Sequence, residues 1–309
     1  MLIQSPSAHS SVSIEDAFAY CASITQGHYE NFPVASLFLP EEKRPYVQSL
    51  YAFARKADDF ADEGKLPESE RLASLNQWED QLKQCYDLSP GEITHPVFIA
   101  LRETVSRLAI PIDPLLQLLL AFKMDVTKHR FSDFDEILHY CRHSANPVGR
   151  LVLMIFGYND EKLFTLSDNI CTALQLANFW QDVAIDLQKN RVYIPQSDLL
   201  KFAVTEQNLR QRLVDGRFKA LLEFEVGRTR ELFYRGAELP RLVDKDLRLE
   251  LKLVWFGGMT ILRKIERAGY DVLYRRPSIH ALNKFSILFN GLFRNDLSRY
   301  KRKPQWDLT

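Results

Sequence analysis

Two sets of oxygen-bearing side chains recur at the spacing of one helical turn in this 309-residue chain. The first lies in YAFARKADDFADEG, residues 51–64, where Asp58, Asp59, Asp62 and Glu63 crowd behind Arg55 and Lys56. On a helix, Tyr51, Arg55, Asp58 and Asp62 fall within an arc of about 60°. Asp58 and Asp62 are then i,i+4 neighbours, and two like charges there repel unless something positive sits between them. The second set lies in ALQLANFWQDVAIDLQKNRVYIP. Gln175, Asn178, Asp182 and Asp186 occupy an arc of about 80°. Lys189, Arg191 and Tyr193 follow at once.

Hard divalent cations prefer oxygen ligands, and Mg²⁺ is usually held by a few carboxylates plus phosphate oxygens and water. Two DxxxD pairs on facing helices would offer such ligands from two sides, with Asp58, Asp62, Asp182 and Asp186 as the metal-binding set. Arg55, Lys189 and Arg191 could take the remaining charge of a diphosphate through charge-assisted hydrogen bonds. Each stripe alone also fits a structural explanation, a solvated helix end for the first and an internal polar network for the second. Together with the basic flank they point to a metal–diphosphate clamp. The helix around the second stripe is so apolar that it should be largely buried, and its four polar groups then need partners. Asp59 falls at the margin of the first stripe and Glu63 points away from it.

The elements that must carry these stripes read as helices throughout. Prolines and glycines separate long segments of helical period, and no stretch alternates like a strand. Helices are expected from Ser13 to about Gln26, then at about 41–62, 69–86, 95–108, 113–127, 133–142, 147–157, 160–187, 205–214, 217–238, 244–268 and 278–291. Asp113 and Asp133 are expected N-caps, and Pro147 suits the first turn of its helix. RVYIP, 191–195, could be a short extended piece. The expected fold class is all-α, one domain over 1–309 with a polar tail at 1–12 and a basic, aromatic tail from about 294.

Composition narrows the partners. Formal net charge is zero, so the basic excess of a nucleic-acid-binding protein is missing. The four cysteines are scattered with no CxxC pair, which suits a reduced, cytoplasmic chain rather than a disulfide framework or a zinc site. The N-terminal stretch lacks the basic and apolar regions of a signal peptide. No apolar run approaches a membrane span.

The combination of motifs resembles the squalene and phytoene synthase family, over nearly the whole chain from HYENFPVASLFLP to the end of the 244–268 helix. The family's tyrosine, arginine and first DxxxD correspond to Tyr51, Arg55, Asp58 and Asp62. Its second motif is met at Gln175, Asn178, Asp182 and Asp186, and its R-x-Y-x-P at Arg191, Tyr193 and Pro195. HYCRHSANPVGRLVL, 139–153, is similar to the family's cavity-lining helix, with small residues Ala145 and Gly149. The resemblance implies an isoprenoid synthase fold, a helical bundle around a central cavity, with Mg²⁺ bound together with a lipid diphosphate.

One departure is informative. Condensing members often carry His-Ser-x-Ser-Phe near the N-terminus; here the stretch is His28, Tyr29, Glu30, Asn31 and Phe32. With SANPVGRLVL and the first acidic motif, it resembles the bacterial hydroxysqualene synthase branch of hopanoid synthesis. That branch ionises presqualene diphosphate and quenches the rearranged cation with water, with no need of NADPH. The resemblance implies catalytic roles for Tyr51, Arg55, Gln175, Asn178 and Tyr193. It implies substrate contacts for Arg55, Lys189, Arg191, Ala145, Gly149 and Phe32. Tyr29 and Asn31 become candidates for positioning the water. Aromatic faces at Phe32, Tyr51 and Trp180 could stabilise a cation, although core packing would explain them too. The rivals are a condensing synthase joining two prenyl diphosphates and a scaffold protein that keeps the fold without the chemistry. A terpene cyclase would want an Asn/Asp–Ser/Thr–Glu motif that NFWQDVAID does not supply. A C30 lipid substrate implies a soluble or peripherally membrane-associated protein, open to contact with other enzymes of its pathway.

Overall fold

The computed structural model describes residues 12–27, 39–62, 66–87, 93–294 and 297. Fourteen helices are formed among them: α1 Ile14–Gly27, α2 Arg44–Asp62, α3 Glu68–Gln84, α4 Pro96–Leu108, α5 Asp113–Thr127, α6 Phe134–Ser144, α7 Asn146–Ile155, α8 Glu161–Gln188, α9 Gln196–Lys201, α10 Glu206–Arg210, α11 Gly216–Gly236, α12 Leu239–Leu242, α13 Lys245–Arg267 and α14 Ala281–Phe293. The described residues contain no strand, and the all-α expectation holds. RVYIP supplies one isolated β-bridge, from Val192 to Arg130.

Local chemistry sets the helix ends. Asp133 caps α6 by accepting from the Glu136 N–H at 2.9 Å, as its residue type demands. Asp160 caps α8 in the same way through Leu163. Pro147 sits in the first turn of α7. The expected cap at Asp113 is off by one: Ile112 is the N-cap and makes no side-chain bond, so Asp113 lies inside the first turn. Two expected helices are also shorter than their apolar pattern. The 205–214 segment is helical only over α10, and the helix expected at 217–238 ends two residues early, as α11 at Gly236, with the separate four-residue α12 beyond the expected range. Periodicity marked the buried face in both places but not where the backbone stops.

Two apolar cores form. One gathers Phe53, Trp78, Phe98 and Leu101 from α2, α3 and α4. The other gathers Trp180, Phe233, Trp255 and Phe256 from α8, α11 and α13. Met154 and Phe156, at the end of α7, pack against both. Helices α5, α6 and α7 thus bridge α2 to α8, and these are the two helices that carry the acidic stripes. The bridge depends on close approach: a Cβ at Gly149 would sit 2.3 Å from Ser167 Oγ and 2.5 Å from Cys171 Sγ. The absence of a side chain there lets α7 close on α8. Its neighbour Ala145 is buried at the α6–α7 joint.

Glu250 on α13 is buried, and its Oε2 has no hydrogen-bond partner. Burial pushes its carboxyl up to about 8. A raised carboxyl keeps its proton in the folded state, so stability is full at acid pH and is lost as pH rises toward about 8. Glu250→Gln, which mimics the protonated form, should match wild type near pH 5. Above pH 8 it should be roughly 2–4 kcal/mol more stable. Urea unfolding across that range measures the difference. A constant offset at all pH values would contradict the assignment.

Candidate functional site

Asp58 and Asp62 lie in the last two turns of α2, and Asp186 in the last turn of α8, with Asp182 one turn earlier. Both stripes therefore sit where the helix macrodipole is negative, which opposes carboxylates and favours cations. The cations come from the other side of the site. Lys189, the C-cap of α8, donates to Asp62 at 2.9 Å, and Arg191 donates to the other oxygen of Asp62 at 2.9 Å. These two bonds tie the end of α2 to the end of α8 and bring the two sequence stripes to one place. Burial alone would raise the Asp62 carboxyl, but the Lys189 hydrogen bond and the charges of Arg191 and Lys189 hold it below its ordinary range.

The other carboxylates are less well compensated. Burial raises Asp58, Asp62 raises it further, and Arg55 opposes this. Burial also pushes Asp186 up to about 7, reinforced by Asp182 and countered by Arg191 and Lys189. Asp182 is held by the guanidinium of Arg276 at 2.5 and 3.1 Å. Arg55 divides itself between Asp58 at 3.3 Å and Asp59 at 2.7 Å. Asp59, at the margin of the stripe on a wheel, thus orients the arginine in the structure. The Arg55 Nε is buried and has no partner, a donor left over for an anion.

The partner expectation for the second stripe holds only in part. Among the described residues, Gln175 and Asn178 make no hydrogen bond, and Asn178 is exposed although it lies in the middle of an otherwise buried helix. Their side chains face open space rather than a polar network. Trp180 is not available to a cation: it is fully buried in the core, and its indole N–H donates to Thr229 at 2.8 Å. Tyr193 stacks on Phe179 with ring centroids 3.8 Å apart and planes 7° from parallel, beside Asp186 and Arg191 in a small pocket. Tyr51 is half-buried near Arg55 and Asp58, and its phenol is raised by burial. Tyr29, Asn31, Phe32, His28, Glu30 and Glu63 lie outside the described residues.

Three residues join the site that spacing did not disclose. Asp125, in the last turn of α5, accepts the single Tyr140 hydroxyl proton between its two oxygens, at 2.8 and 3.0 Å. Its carboxyl is pushed up to about 7 by burial, against the Tyr140 bond and the Arg191 charge. Arg276 is the third. A lone acid following LLQLLLAFKM was the available signal for Asp125. Tyr140 and Arg276 gave none, because their partners are 15 and 94 residues distant.

The segment that delivers Arg191 and Tyr193 is held against 129–132. Val192 N–H donates to His129 O at 3.0 Å, Gln196 N–H to Phe131 O at 2.9 Å and Ser197 N–H to Ser132 O at 2.9 Å. Arg130 grips Glu206 at 2.6 and 2.9 Å and also donates to the carbonyl of Asn190, which has a φ of 58°.

The donor set is all oxygen: five carboxylates from α2, α5 and α8 around one space. Among the described residues no three Asp, Glu, His or Cys side chains converge closely enough to hold a metal ion alone. A hard divalent ion bound here would need phosphate oxygens and water to complete its coordination. Arg191 is 14% exposed and Lys189 51%, so the two ties to Asp62 should differ in strength. Arg191→Met should cost about 2 kcal/mol or more in urea unfolding at pH 8. Lys189→Met should cost less than about 1 kcal/mol. Equal costs would mean that Arg191 is not the buried strut of the site.

The comparisons with known proteins fit this geometry. The family model described as squalene/phytoene synthase matches residues 25–283. The hydroxysqualene synthase of Rhodopseudomonas palustris is 36% identical over 87% of this chain and 90% of its own. The phytoene synthase of Arthrospira platensis is 28% identical over 93% of this chain and 96% of its own. The crystal structure of squalene synthase HpnC from Alicyclobacillus acidocaldarius superposes with a TM-score of 0.78 at 41% identity, covering 83% of this chain and 95% of that one. The chain belongs to the squalene/phytoene synthase family, a family of isoprenoid-forming enzymes.

Proposed function

We propose that the protein is a hydroxysqualene synthase: it ionises presqualene diphosphate, lets the cation rearrange, and captures it with water to give hydroxysqualene and diphosphate. The observation that carries this is the identity to proteins bearing that name. It is 36% over most of the chain for the Rhodopseudomonas palustris protein and 42% over 55% of the chain for that of Sinorhizobium fredii. The phytoene synthases reach similar coverage at lower identity.

Bound Mg²⁺ would supply positive charge for the diphosphate, held by Asp58 and Asp62 on one side and Asp182 and Asp186 on the other. Arg55 offers its unpartnered Nε to a phosphate oxygen. Lys189 and Arg191, which pair with Asp62, are placed to turn toward the same anion. Hydrogen bonds from such cations strengthen as the leaving oxygen gains charge, so they favour the transition state over the bound substrate. Breaking the C–O bond leaves a cyclopropylcarbinyl cation and diphosphate. Water adds to the rearranged cation and loses a proton, which diphosphate or a neighbouring base can take. Tyr51 and Tyr193, both only partly buried, are the aromatic side chains beside the carboxylates from which a ring could face the cation. Tyr29 and Asn31 are the candidates for holding the water, and Tyr29→Ser with Asn31→Ser tests them. A lower alcohol yield is expected, and unchanged rate and product would remove them from that role.

A condensing reaction remains the second reading, favoured by the phytoene synthase relatives and by the name squalene synthase on the Alicyclobacillus acidocaldarius structure. Product identity separates the two. Presqualene diphosphate with Mg²⁺ and no NADPH should give an alcohol by mass spectrometry. Squalene, or consumption of farnesyl diphosphate with presqualene diphosphate accumulating, would favour condensation. Removing Mg²⁺ with a chelator should abolish turnover, and adding it back should restore it. Asp58→Ala and Asp62→Ala should each lower turnover by about a hundredfold or more, whereas Glu63→Ala should be mild. Equal losses at all three positions would contradict the assigned helix face.

A further inference from the structure

The last described helix, α14, is apolar on both sides. Its inner side carries Ile287, which is buried, and Gly291, where a Cβ would meet Leu253 at 2.8 Å. Its outer side carries Phe285, Phe289, Leu292 and Phe293, exposed by 72%, 53%, 53% and 70%. These four residues span an arc of about 100°, and the Phe289 and Phe293 rings are 4.7 Å apart. Asn283, Ser286 and Asn290 make one polar flank between these two apolar faces, and α14 carries only one charged residue, Lys284; a surface helix normally presents a single apolar stripe, the one it buries. Scattered exposed apolar side chains are ordinary, but a contiguous aromatic face marks a contact.

We propose that the outer face of α14 rests on an anionic lipid surface. The sequence that follows, RNDLSRYKRK from Arg294, holds five cations and one acid, with Tyr300 inside it and Trp306 beyond. Aromatic anchors beside a cluster of Lys and Arg are the composition of an in-plane membrane helix, in which apolar burial and attraction to anionic headgroups add. A second copy of the chain is a poorer occupant. A 13-residue helix is about 20 Å long and about 10 Å wide. One face therefore offers roughly 200 Å², against the ~800 Å² per partner of a stable interface. Lipid needs no matching surface.

The placement also suits the chemistry. Residues 271–280 run from the site to α14: Arg276 holds Asp182, Pro277 O accepts from Gln181 at 2.5 Å, and the helix begins at Ala281. The segment leading into the proposed lipid contact thus touches the site at Asp182 and Gln181. As a route for substrate entry it rests on the lipid-diphosphate function proposed above; as a membrane contact it stands on the α14 face alone.

The test is co-sedimentation of the full chain with phosphatidylcholine vesicles, with and without phosphatidylglycerol. Wild type should pellet with the anionic vesicles, and the double variant Phe285→Ser, Phe289→Ser should bind about tenfold more weakly. Should that variant fail to fold, Phe285→Trp reports instead: the emission of the introduced indole should shift to the blue with vesicles and be quenched by brominated acyl chains. Three results would overturn the proposal. Wild type could stay in solution, or the double variant could bind as wild type does. The indole introduced by Phe285→Trp could also emit in the blue without vesicles, meaning protein already covers the face, whether this chain or a dimer partner. Turnover of detergent-dispersed presqualene diphosphate keeps the two proposals apart. Activity without vesicle binding would sink the membrane contact and leave the function standing. Vesicle binding without activity would do the reverse.

Discussion

Unbalanced negative charge at three helix ends is the constraint around which the site is arranged. Asp58 and Asp62 close α2, Asp125 closes α5, and Asp182 and Asp186 lie near the end of α8. At each end the unpaired carbonyls already make the local potential negative. A carboxylate there opposes the helix and, where buried, the low dielectric as well. Asp125 and Asp186 show the result, with carboxyls pushed up to about 7. Nothing in the fold requires acids at these positions. Five of them in one place, only partly paired, are the arrangement on which the proposed metal–diphosphate reading rests.

The cations present are arranged as partial compensation. Lys189 and Arg191 share Asp62, Arg276 takes Asp182, and Arg55 bridges Asp58 and Asp59. Asp186 is left with no direct cation partner among the described residues, and its nearest help is the longer-range charge of Arg191 and Lys189. A site compensated in this way keeps carboxylates and guanidinium groups side by side, the mixed charge that the proposed metal–diphosphate reading calls for. Arg191 has the central place. It pairs with Asp62, its charge opposes the rise at Asp125 and Asp186, and its backbone is fixed by the strand-like contact with 129–132. The Arg130–Glu206 pair secures that contact from the far side.

Much of this was legible in the sequence because one helix face has a fixed period. Tyr51, Arg55, Asp58 and Asp62, and the Gln175–Asp186 set, could be assigned to two stripes from spacing alone. That Lys189 and Arg191 would join them was foreseeable from proximity in sequence. What spacing could not give was contact between helices. Asp125 meets Tyr140, and Arg276 meets Asp182, through packing that no period encodes. Trp180 shows the opposite error. It was a candidate for cation stabilisation, yet two residues of helical rotation from Asn178 and Asp182 turn it about 160° away and into the core, where Thr229 takes its N–H. Helix ends failed for a related reason: α10 covers only Glu206–Arg210 of the helix expected at 205–214.

The segment 271–280 is where the polar and apolar halves of the molecule meet. Arg276 and Pro277 bond to consecutive residues of α8, Asp182 and Gln181, while Lys264 donates to Ser278 O at 2.5 Å and so fixes the same segment to α13. The His280 N–H then donates to Asn283 Oδ1 at 3.1 Å and starts α14. Nine residues thus carry the chain from a carboxylate inside the site to an exposed phenylalanine at 285. The Lys264–Ser278 bond stands between Arg276 and α14, and α14 is itself packed on α13 at Gly291, so both ends of the segment are held independently of the half-exposed Arg276–Asp182 pair. Because Arg276 belongs to this segment and pairs with Asp182, the chain leading to the outer apolar surface also contributes to the charge balance of the site.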